Sequence, residues 1–269
     1  MSGLIISIIC AAALIWFLFI KKPALKKHVT LPGNYRELLT ENVAYYRALN
    51  DTDKLRFEEK IKTFLSYVNV HGVNTQADDL DKLLVASSAV IPIFGFDEWR
   101  YYNLRDVLLY EDAFNADEFS TTAGNRNTLG MVGTGAMQQM MILSKPALRQ
   151  GFQNESNKNN TGIHEFVHLL DKADGDTDGI PEALMKRQYT IPWINLMNNA
   201  IHEIRNGRSD IDPYGATSKT EFFAVAAEYF FERPDLLKYK HPELFELLRQ
   251  TFNQVPATIN KEENQPGVL

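Results

Sequence analysis

Residues 161–171 read TGIHEFVHLLD, a segment that places two imidazoles and a carboxylate on one apolar helix. His164 and His168 are four residues apart, which on an α-helix means one turn and about 40° around the axis. Two imidazoles in this arrangement bind one tetrahedral zinc ion. Glu165 is poorly placed to be a ligand, but it reaches a water on the open side of the metal, where it acts as a general base.

Zinc bound by two histidines needs a third protein ligand, and Asp174 is the nearest candidate, ten residues after His164. Position seven of that segment is Asp171, not the glycine that lets the chain turn back. Residues 174–179, DGDTDG, also match the start of a calcium loop, but Met185 stands where the bidentate glutamate belongs. These residues favour an acidic turn in which Asp171 holds a histidine nitrogen.

Two glutamates of a later helix, predicted at residues 218–232, are the other candidates for the third ligand. Glu221 lies near the helix start, where it also fits a capping box with Ser218. Glu228 follows seven residues later, about 20° away on the same helix face. It also fits a supporting or surface carboxylate. Spacing alone leaves Asp174, Glu221 and Glu228 open.

An apolar run at residues 4–20, in which Ser7 is the clearly polar side chain, precedes these segments. As a helix it is about 25 Å long, near the lower limit for crossing a bilayer core. Four lysines follow it, at positions 21, 22, 26 and 27. The run therefore predicts a membrane anchor with lysines at the lipid headgroups, and the positive-inside rule places the rest of the chain in the cytoplasm at the cell (inner) membrane.

The remaining pattern is rich in helices. Apolar residues at helical spacing predict helices at residues 35–49, 52–67, 78–91, 162–173, 190–206, 218–232 and 242–253. Strands are predicted at residues 105–110 and 137–144, a loop or hairpin at 120–135 and an exposed loop at 150–162. The order contains no βαβ alternation that would indicate a parallel sheet. Residues 137–144 fit either a sheet edge to which a peptide adds as a strand or a buried strand.

These patterns predict an α+β fold, a helix-rich zincin-like metallopeptidase domain with a small sheet behind one transmembrane helix. The predicted segments are an anchor at 1–22, a linker at 23–34, the zinc metallopeptidase domain at 35–255 and a tail at 256–269. The net charge of −6 disfavours a nucleic-acid binder. Cys10 is the only cysteine, which excludes an intrachain disulfide and a thiolate zinc finger.

Four segments together resemble the Mlc titration factor A family of zinc peptidases. They are residues 42–65, 105–114, 164–181 and 212–232, and the resemblance extends over about residues 35–255. The catalytic core of that family is similar to the anthrax lethal factor protease, in which a later helix supplies a glutamate as third ligand and a tyrosine precedes it by seven residues.

The resemblance implies zinc ligands at His164, His168 and Glu221, with Glu165 as general base and Tyr214 as catalytic tyrosine. It also implies aminopeptidase-type activity on a peptide or protein substrate. One soluble member binds the glucose repressor Mlc, and it lacks an N-terminal anchor. The apolar run at residues 4–20 and the resemblance together lead us to expect a membrane-anchored zinc metallopeptidase that uses a zinc-activated water. The alternative is a zinc-binding regulatory module that binds a protein partner with little hydrolysis; a fourth protein ligand would favour it.

Overall fold

The computed structural model describes residues 29–116, 119–121, 128–133, 137–154 and 157–256. The predicted anchor at 1–22, part of the predicted linker and nearly all of the predicted tail lie outside the described residues. Within the described ranges, no helix combines the length and the apolar character that a membrane crossing needs.

Helices dominate the described chain. They are α1 (Tyr35–Asn42), α2 (Ala44–Ala48), α3 (Asp51–Tyr67), α4 (Asp79–Ile93), α5 (Lys145–Gln153), α6 (Thr161–Asp171), α7 (Thr190–Arg205), α8 (Lys219–Glu232), α9 (Pro234–Lys240) and α10 (Pro242–Phe252). The prediction of a helix-rich α+β fold is confirmed. The predicted helix at residues 35–49 is divided at Val43, whose extended backbone separates α1 from α2.

One mixed sheet accompanies the helices. Its strands are β1 (Asn69–Val73), β2 (Asp106–Tyr110), β3 (Gly130–Val132) and β4 (Met140–Ser144), in the spatial order β1-β2-β4-β3. β1, β2 and β4 are parallel and β3 is antiparallel to β4. The expectation that no parallel sheet forms was wrong, because α4 is the crossover between β1 and β2. The short β1 sequence NVHGV contains polar residues and a glycine, so it carries no clear strand periodicity.

The two faces of the sheet pack differently. Val107 and Leu109 of β2 join the main core, which they share with the buried faces of the helices. The alternate residue Tyr110 points to a smaller cluster with Phe114 and Ile142 on the other face. One face of the sheet therefore packs against the helical core, and the other face carries a small apolar cluster.

The position of β4 settles the two interpretations of residues 137–144. β4 lies between β2 and β3 and is largely buried, so the interpretation as a sheet edge was wrong. The edge on this side of the sheet is β3, which packs against α6. The strand beside the histidine-bearing helix is thus β3.

Apolar periodicity predicts neither α5 nor α9. The buried face of α5 consists of Ala147, Leu148, Gly151 and Phe152, and two large apolar residues in nine are too few to establish a helical period from the sequence. The exposed loop predicted at residues 150–162 was partly wrong, since α5 continues to Gln153 and the side chain of Asn160 is fully buried. This buried asparagine stands at the entrance to α6.

Candidate metal centre

The helix α6 begins at a side-chain cap. The Asn160 side chain accepts a hydrogen bond of 3.1 Å from the Ile163 amide, as asparagine does at helix N-termini. On the buried face of α6, the ring of Phe166 packs edge-on against Phe64 and Tyr101. This packing orients the helix and leaves its two histidines on a less buried face.

The rings of His164 and His168 lie one turn apart, with centroids separated by 4.7 Å. Glu221, in the first turn of α8, reaches both rings. Its Oε2 is 2.9 Å from Nε2 of His164 and 3.5 Å from Nε2 of His168. Donor atoms of the three side chains all lie within 4.8 Å of one another.

These separations suit one zinc ion. Ligand atoms on a tetrahedral zinc with bonds of about 2.0–2.1 Å lie about 3.3 Å apart, between the two distances measured to Glu221. Two imidazoles and one carboxylate are also a donor set of catalytic zinc sites. The structure therefore brings together the three residues predicted to bind zinc, and their role as ligands stays a prediction.

The sequence allows two roles for Glu221, a part of the helix cap and a metal ligand, and the structure shows which atoms serve each. The Ser218 hydroxyl accepts a hydrogen bond of 3.1 Å from the Glu221 amide and so caps α8. The Glu221 carboxylate turns to the histidines. Burial would raise the pKa of this carboxyl, but hydrogen bonds to His164 and His168 outweigh burial and lower the pKa to about 2. Glu221 is therefore an ionised carboxylate at neutral pH.

Glu228 contacts the opposite side of the same imidazole. Its Oε1 is 2.6 Å from Nδ1 of His164, whereas Nε2 of His164 faces Glu221. Burial would lower the pKa of His164, but its hydrogen bonds to the two glutamates outweigh burial and raise that pKa. Of these two glutamates, Glu221 is the one grouped with the donor atoms of both histidines. Glu228 lies behind the histidine, away from that group.

Glu165 lies against the edge strand β3. A methyl group on Gly130 would come within 2.6 Å of Cγ and 2.7 Å of Oε1 of Glu165, so only glycine permits this approach. Glu165 is 6% exposed. Burial raises the pKa of its carboxyl, and the nearby histidines offset part of this rise. A carboxyl group with a raised pKa beside a candidate metal site is suited to proton transfer.

Tyr214 stands at the mouth of the site. It belongs to a 3-10 helix, Pro213–Ala216, that packs against α8. Its ring centroid is 5.9 Å from that of His164, and the side chain is 53% exposed. Burial of the hydroxyl and the charge of Glu221 raise its pKa, so the phenol stays protonated at neutral pH. The structure places Tyr214 beside the histidine, and its catalytic role stays a prediction.

Asp174 has other partners. It accepts hydrogen bonds from the amides of Asp176, at 3.2 Å, and Glu182, at 2.9 Å. Its two carboxylate oxygens therefore stabilise the turn that follows α6, as Asx turns do. The acidic turn favoured over a calcium loop is the arrangement observed, and Asp174 is not in the group of donor atoms around Glu221.

Asp171 does not hold a histidine nitrogen as expected. Its Oδ2 accepts a hydrogen bond of 3.0 Å from the Gly179 amide, which fastens the acidic turn. Its Oδ1 and Nδ1 of His168 are both buried and lack a hydrogen-bond partner within the described chain. Burial raises the pKa of Asp171 to about 6. The turn, rather than the metal centre, therefore determines where this carboxylate points.

Sequence reasoning did not identify Asn160 or Gly130 as parts of the site. Asn160 is fully buried, and its main-chain N–H donates to Oε2 of Glu228. An asparagine directly before an apolar helical run is a cap signal, and Asn160 could have been identified from it. Gly130 has no comparable signal, because its close approach to Glu165 depends on the pairing of β3 with β4.

Comparisons with known proteins show the family to which this chain is related. A family model described as glucose-regulated metallo-peptidase M90 matches residues 19–253. Mlc titration factor A of Escherichia fergusonii is 29% identical over 224 residues, which cover 78% of this chain and 82% of that protein.

Two further relatives have similar coverage. Mlc titration factor A of Salmonella schwarzengrund is 30% identical over 213 residues, covering 72% of this chain and 78% of that protein. An uncharacterized protein of Synechocystis sp. is 27% identical over 232 residues, covering 82% of this chain and 84% of that protein. The resemblance found in the sequence is thereby confirmed, and the chain belongs to the glucose-regulated metallo-peptidase M90 family, together with Mlc titration factor A.

Proposed function

We propose that this chain is a zinc-dependent peptidase of the aminopeptidase type. The observation that carries the proposal is the grouping of His164, His168 and Glu221 next to Glu165. Within the described residues this group contains three protein donors. A structural zinc has four protein ligands, whereas a catalytic zinc has three and keeps one position for water or substrate.

Each functional group has a separate task in the proposed reaction. A zinc ion held by His164, His168 and Glu221 would polarise the substrate carbonyl and lower the pKa of a bound water to about 7. Glu165 accepts a proton from the attacking water and delivers it to the departing amine. The protonated hydroxyl of Tyr214 donates a hydrogen bond to the oxyanion that develops on the carbonyl oxygen.

The edge strand β3 supports a peptide as the substrate. The Leu129 carbonyl and the Gly133 amide form hydrogen bonds to β4. Because bonding directions alternate in an antiparallel ladder, Gly130 and Val132 direct their main-chain groups away from β4. An extended peptide that pairs with these groups runs past Glu165, which contacts Gly130.

Three details of the proposal rest on the sequence: the aminopeptidase type, the membrane anchor and the bounds of the peptidase domain. The aminopeptidase type rests on the resemblance to the family. The membrane anchor rests on the apolar run at residues 4–20 and the lysines after it, which also orient the catalytic domain toward the cytoplasm. The assignment of residues 35–255 to one peptidase domain rests on the extent of the resemblance.

The Glu165→Gln variant tests hydrolysis directly. We expect peptidase activity to fall by about 10²–10⁴-fold, because the amide cannot accept the proton, while bound zinc stays at one ion per chain. The measurements are metal analysis and cleavage of amino-acid nitroanilides with free and with acetylated amino groups. Unchanged hydrolysis at unchanged zinc content would contradict the mechanism. Equal cleavage of acetylated substrates would contradict the aminopeptidase type.

The name of two relatives, Mlc titration factor A, favours a second candidate function. In it, the chain binds a protein partner for regulation and hydrolyses little. The same variant separates the two candidates. If regulation depends on binding alone, Glu165→Gln retains it in full, whereas a function that depends on hydrolysis is lost.

A further inference from the structure

The two nitrogens of His164 have different partners, and this difference constrains the protonation of the ring. Nε2 faces Glu221 among the candidate metal donors, and Nδ1 is 2.6 Å from Oε1 of Glu228. A neutral imidazole that offers the Nε2 lone pair to a metal carries its hydrogen on Nδ1. A carboxylate that accepts this hydrogen selects the tautomer that binds metal and restrains rotation of the ring.

The carboxylate of Glu228 is itself held in place. Its Oε2 accepts a hydrogen bond from the main-chain N–H of Asn160, the residue that caps α6. The Asn160 side chain donates a hydrogen bond of 3.0 Å to Glu232, one turn further along α8. Glu228 is 6% exposed and Asn160 is fully buried, so little water competes for these bonds. Glu228 therefore has a defined orientation that owes nothing to a metal.

We propose that Glu228 is the positioning residue of this metal centre. It holds His164 in the tautomer and ring orientation that present Nε2 to the metal, and it does not bind the metal itself. The proposal rests on the proposed function in one respect, the presence of a metal at His164, His168 and Glu221. The seven-residue spacing on α8 lets one helix supply a ligand, Glu221, and the group that orients another ligand.

Zinc affinity tests the positioning role without recourse to activity. The dissociation constant is measured by competition with a chelating indicator for the wild type, Glu228→Ala and Glu228→Gln. We expect binding to weaken about 10–100-fold in Glu228→Ala, as is typical when the support of a metal-bound histidine is lost. Glu228→Gln should weaken it less, because an amide oxygen still accepts the Nδ1 hydrogen.

Glu58→Gln is the matched control. Glu58 is another buried carboxylate, 3% exposed, and it accepts hydrogen bonds from the hydroxyls of Tyr35 and Tyr46, neither of which is a candidate metal ligand. This variant should lose stability but keep the wild-type zinc affinity within about twofold, since surface and core changes remote from a site leave its binding intact. If zinc affinity falls in Glu58→Gln as it does in Glu228→Ala, general destabilisation explains the effect of Glu228, and the proposal is overturned.

Imidazole ¹⁵N–¹H spectra of the zinc-loaded protein provide a second readout. The Nδ1 hydrogen of His164 should exchange slowly in the wild type and faster in Glu228→Ala. Zinc affinity unchanged within twofold would overturn the positioning role, and so would a loss as complete as that of His168→Ala, which would make Glu228 a ligand. If Glu228→Ala does not fold, the same criteria apply to Glu228→Met, which fills more of the space and likewise cannot accept the Nδ1 hydrogen. A wild type that binds no zinc would overturn the proposed function as well.

Discussion

The candidate metal centre and a cluster around Asp210 both connect α8 to the chain near the start of α6. The candidate metal centre has more carboxylates than imidazoles, whereas the cluster around Asp210 has one carboxylate and several hydrogen-bond donors. In the metal centre, three carboxylates surround two imidazoles. Around Asp210, one carboxylate accepts hydrogen bonds from Lys158 at 2.7 Å, Tyr229 at 2.8 Å, His241 at 2.7 Å and Lys240 at 3.1 Å. Consecutive residues of α8, Glu228 and Tyr229, belong to the two different clusters.

The contrast shows which kind of perturbed group indicates function. Burial would raise the pKa of Asp210, but hydrogen bonds from Lys158, His241 and Tyr229 outweigh it and hold that pKa well below its usual range. Asp210 is thus a saturated acceptor in a structural network. At the metal centre, burial raises the pKa of Glu165 and two glutamates share one imidazole. A surplus of buried carboxylates favours a bound cation, whereas a saturated network does not.

The largest expected effect distinguishes the two clusters by zinc affinity. Glu221→Ala removes one of the three proposed ligands, so we expect zinc to bind on the order of 10³-fold more weakly, about a third of a binding free energy of roughly 12 kcal/mol. Asp210→Asn should leave zinc affinity within about twofold of the wild type, because the hydrogen bonds of Asp210 within the described residues go to groups other than the candidate ligands. Chelator competition measures both. Wild-type affinity in Glu221→Ala would show that the carboxylate surplus does not hold the ion.

A second prediction concerns the distance between Glu165 and β3. In Gly130→Ala the added methyl group meets Glu165 at 2.6 Å, so the carboxylate or the strand must shift. We expect hydrolysis to fall by about 10²-fold at unchanged zinc affinity, because a displacement of about 1 Å is enough for such a loss. Gly33→Ala is the matched control, since no atom of the described residues lies within 4 Å of its added methyl group. Equal activity of the two variants would mean that β3 does not position the base.

Local signals made much of the helical fold predictable. The helices predicted at residues 52–67 and 190–206 agree with α3 and α7 to within one residue at each end. Periodicity and caps are properties of neighbouring residues, which is why these bounds can be read from the sequence. The sheet depends on distant pairing, since Asn69 of β1 pairs with Asp106 of β2. The short β1 therefore remained unpredicted, and β3 lies within the segment predicted only as a loop or hairpin.

The same distinction applies to the site. His164, Glu165 and His168 are on one helix, so their mutual geometry follows from spacing. Residues from a distant helix are harder to assign. Glu221 and Glu228 lie on the same face of α8, and their positions along the helix axis determine which nitrogen of the His164 imidazole each one contacts.

Residue spacing along the sequence could not predict the cluster around Asp210. Its donors come from the loop before α6, from α8 and α9, and from His241. His241 stands before α10, but its side chain forms no cap there and contacts Asp210. No motif relates positions that meet only in the folded chain.

The last prediction concerns the stability that the cluster around Asp210 provides. Asp210→Asn removes the negative charge that Lys158 and Lys240 share, and we expect the free energy of unfolding at pH 7 to fall by about 2 kcal/mol. The Asp210 side chain is 24% exposed, so solvent screens part of the interaction. Denaturant unfolding of the zinc-free wild type and variant measures the difference.

The pH dependence of that difference identifies its electrostatic origin. The pKa of Asp210 is lower in the folded chain than in the unfolded chain, where an aspartate titrates near 3.9. The unfolded chain therefore takes up the proton first as the pH falls. The stabilisation by Asp210 is fully present above that value and is lost progressively below it. We expect the difference between wild type and Asp210→Asn to be at least as large at pH 5 as at pH 7 and to shrink below about pH 4. A difference independent of pH down to pH 3 would mean that Asp210 acts through packing, and the contrast with the metal centre would then not be one of charge.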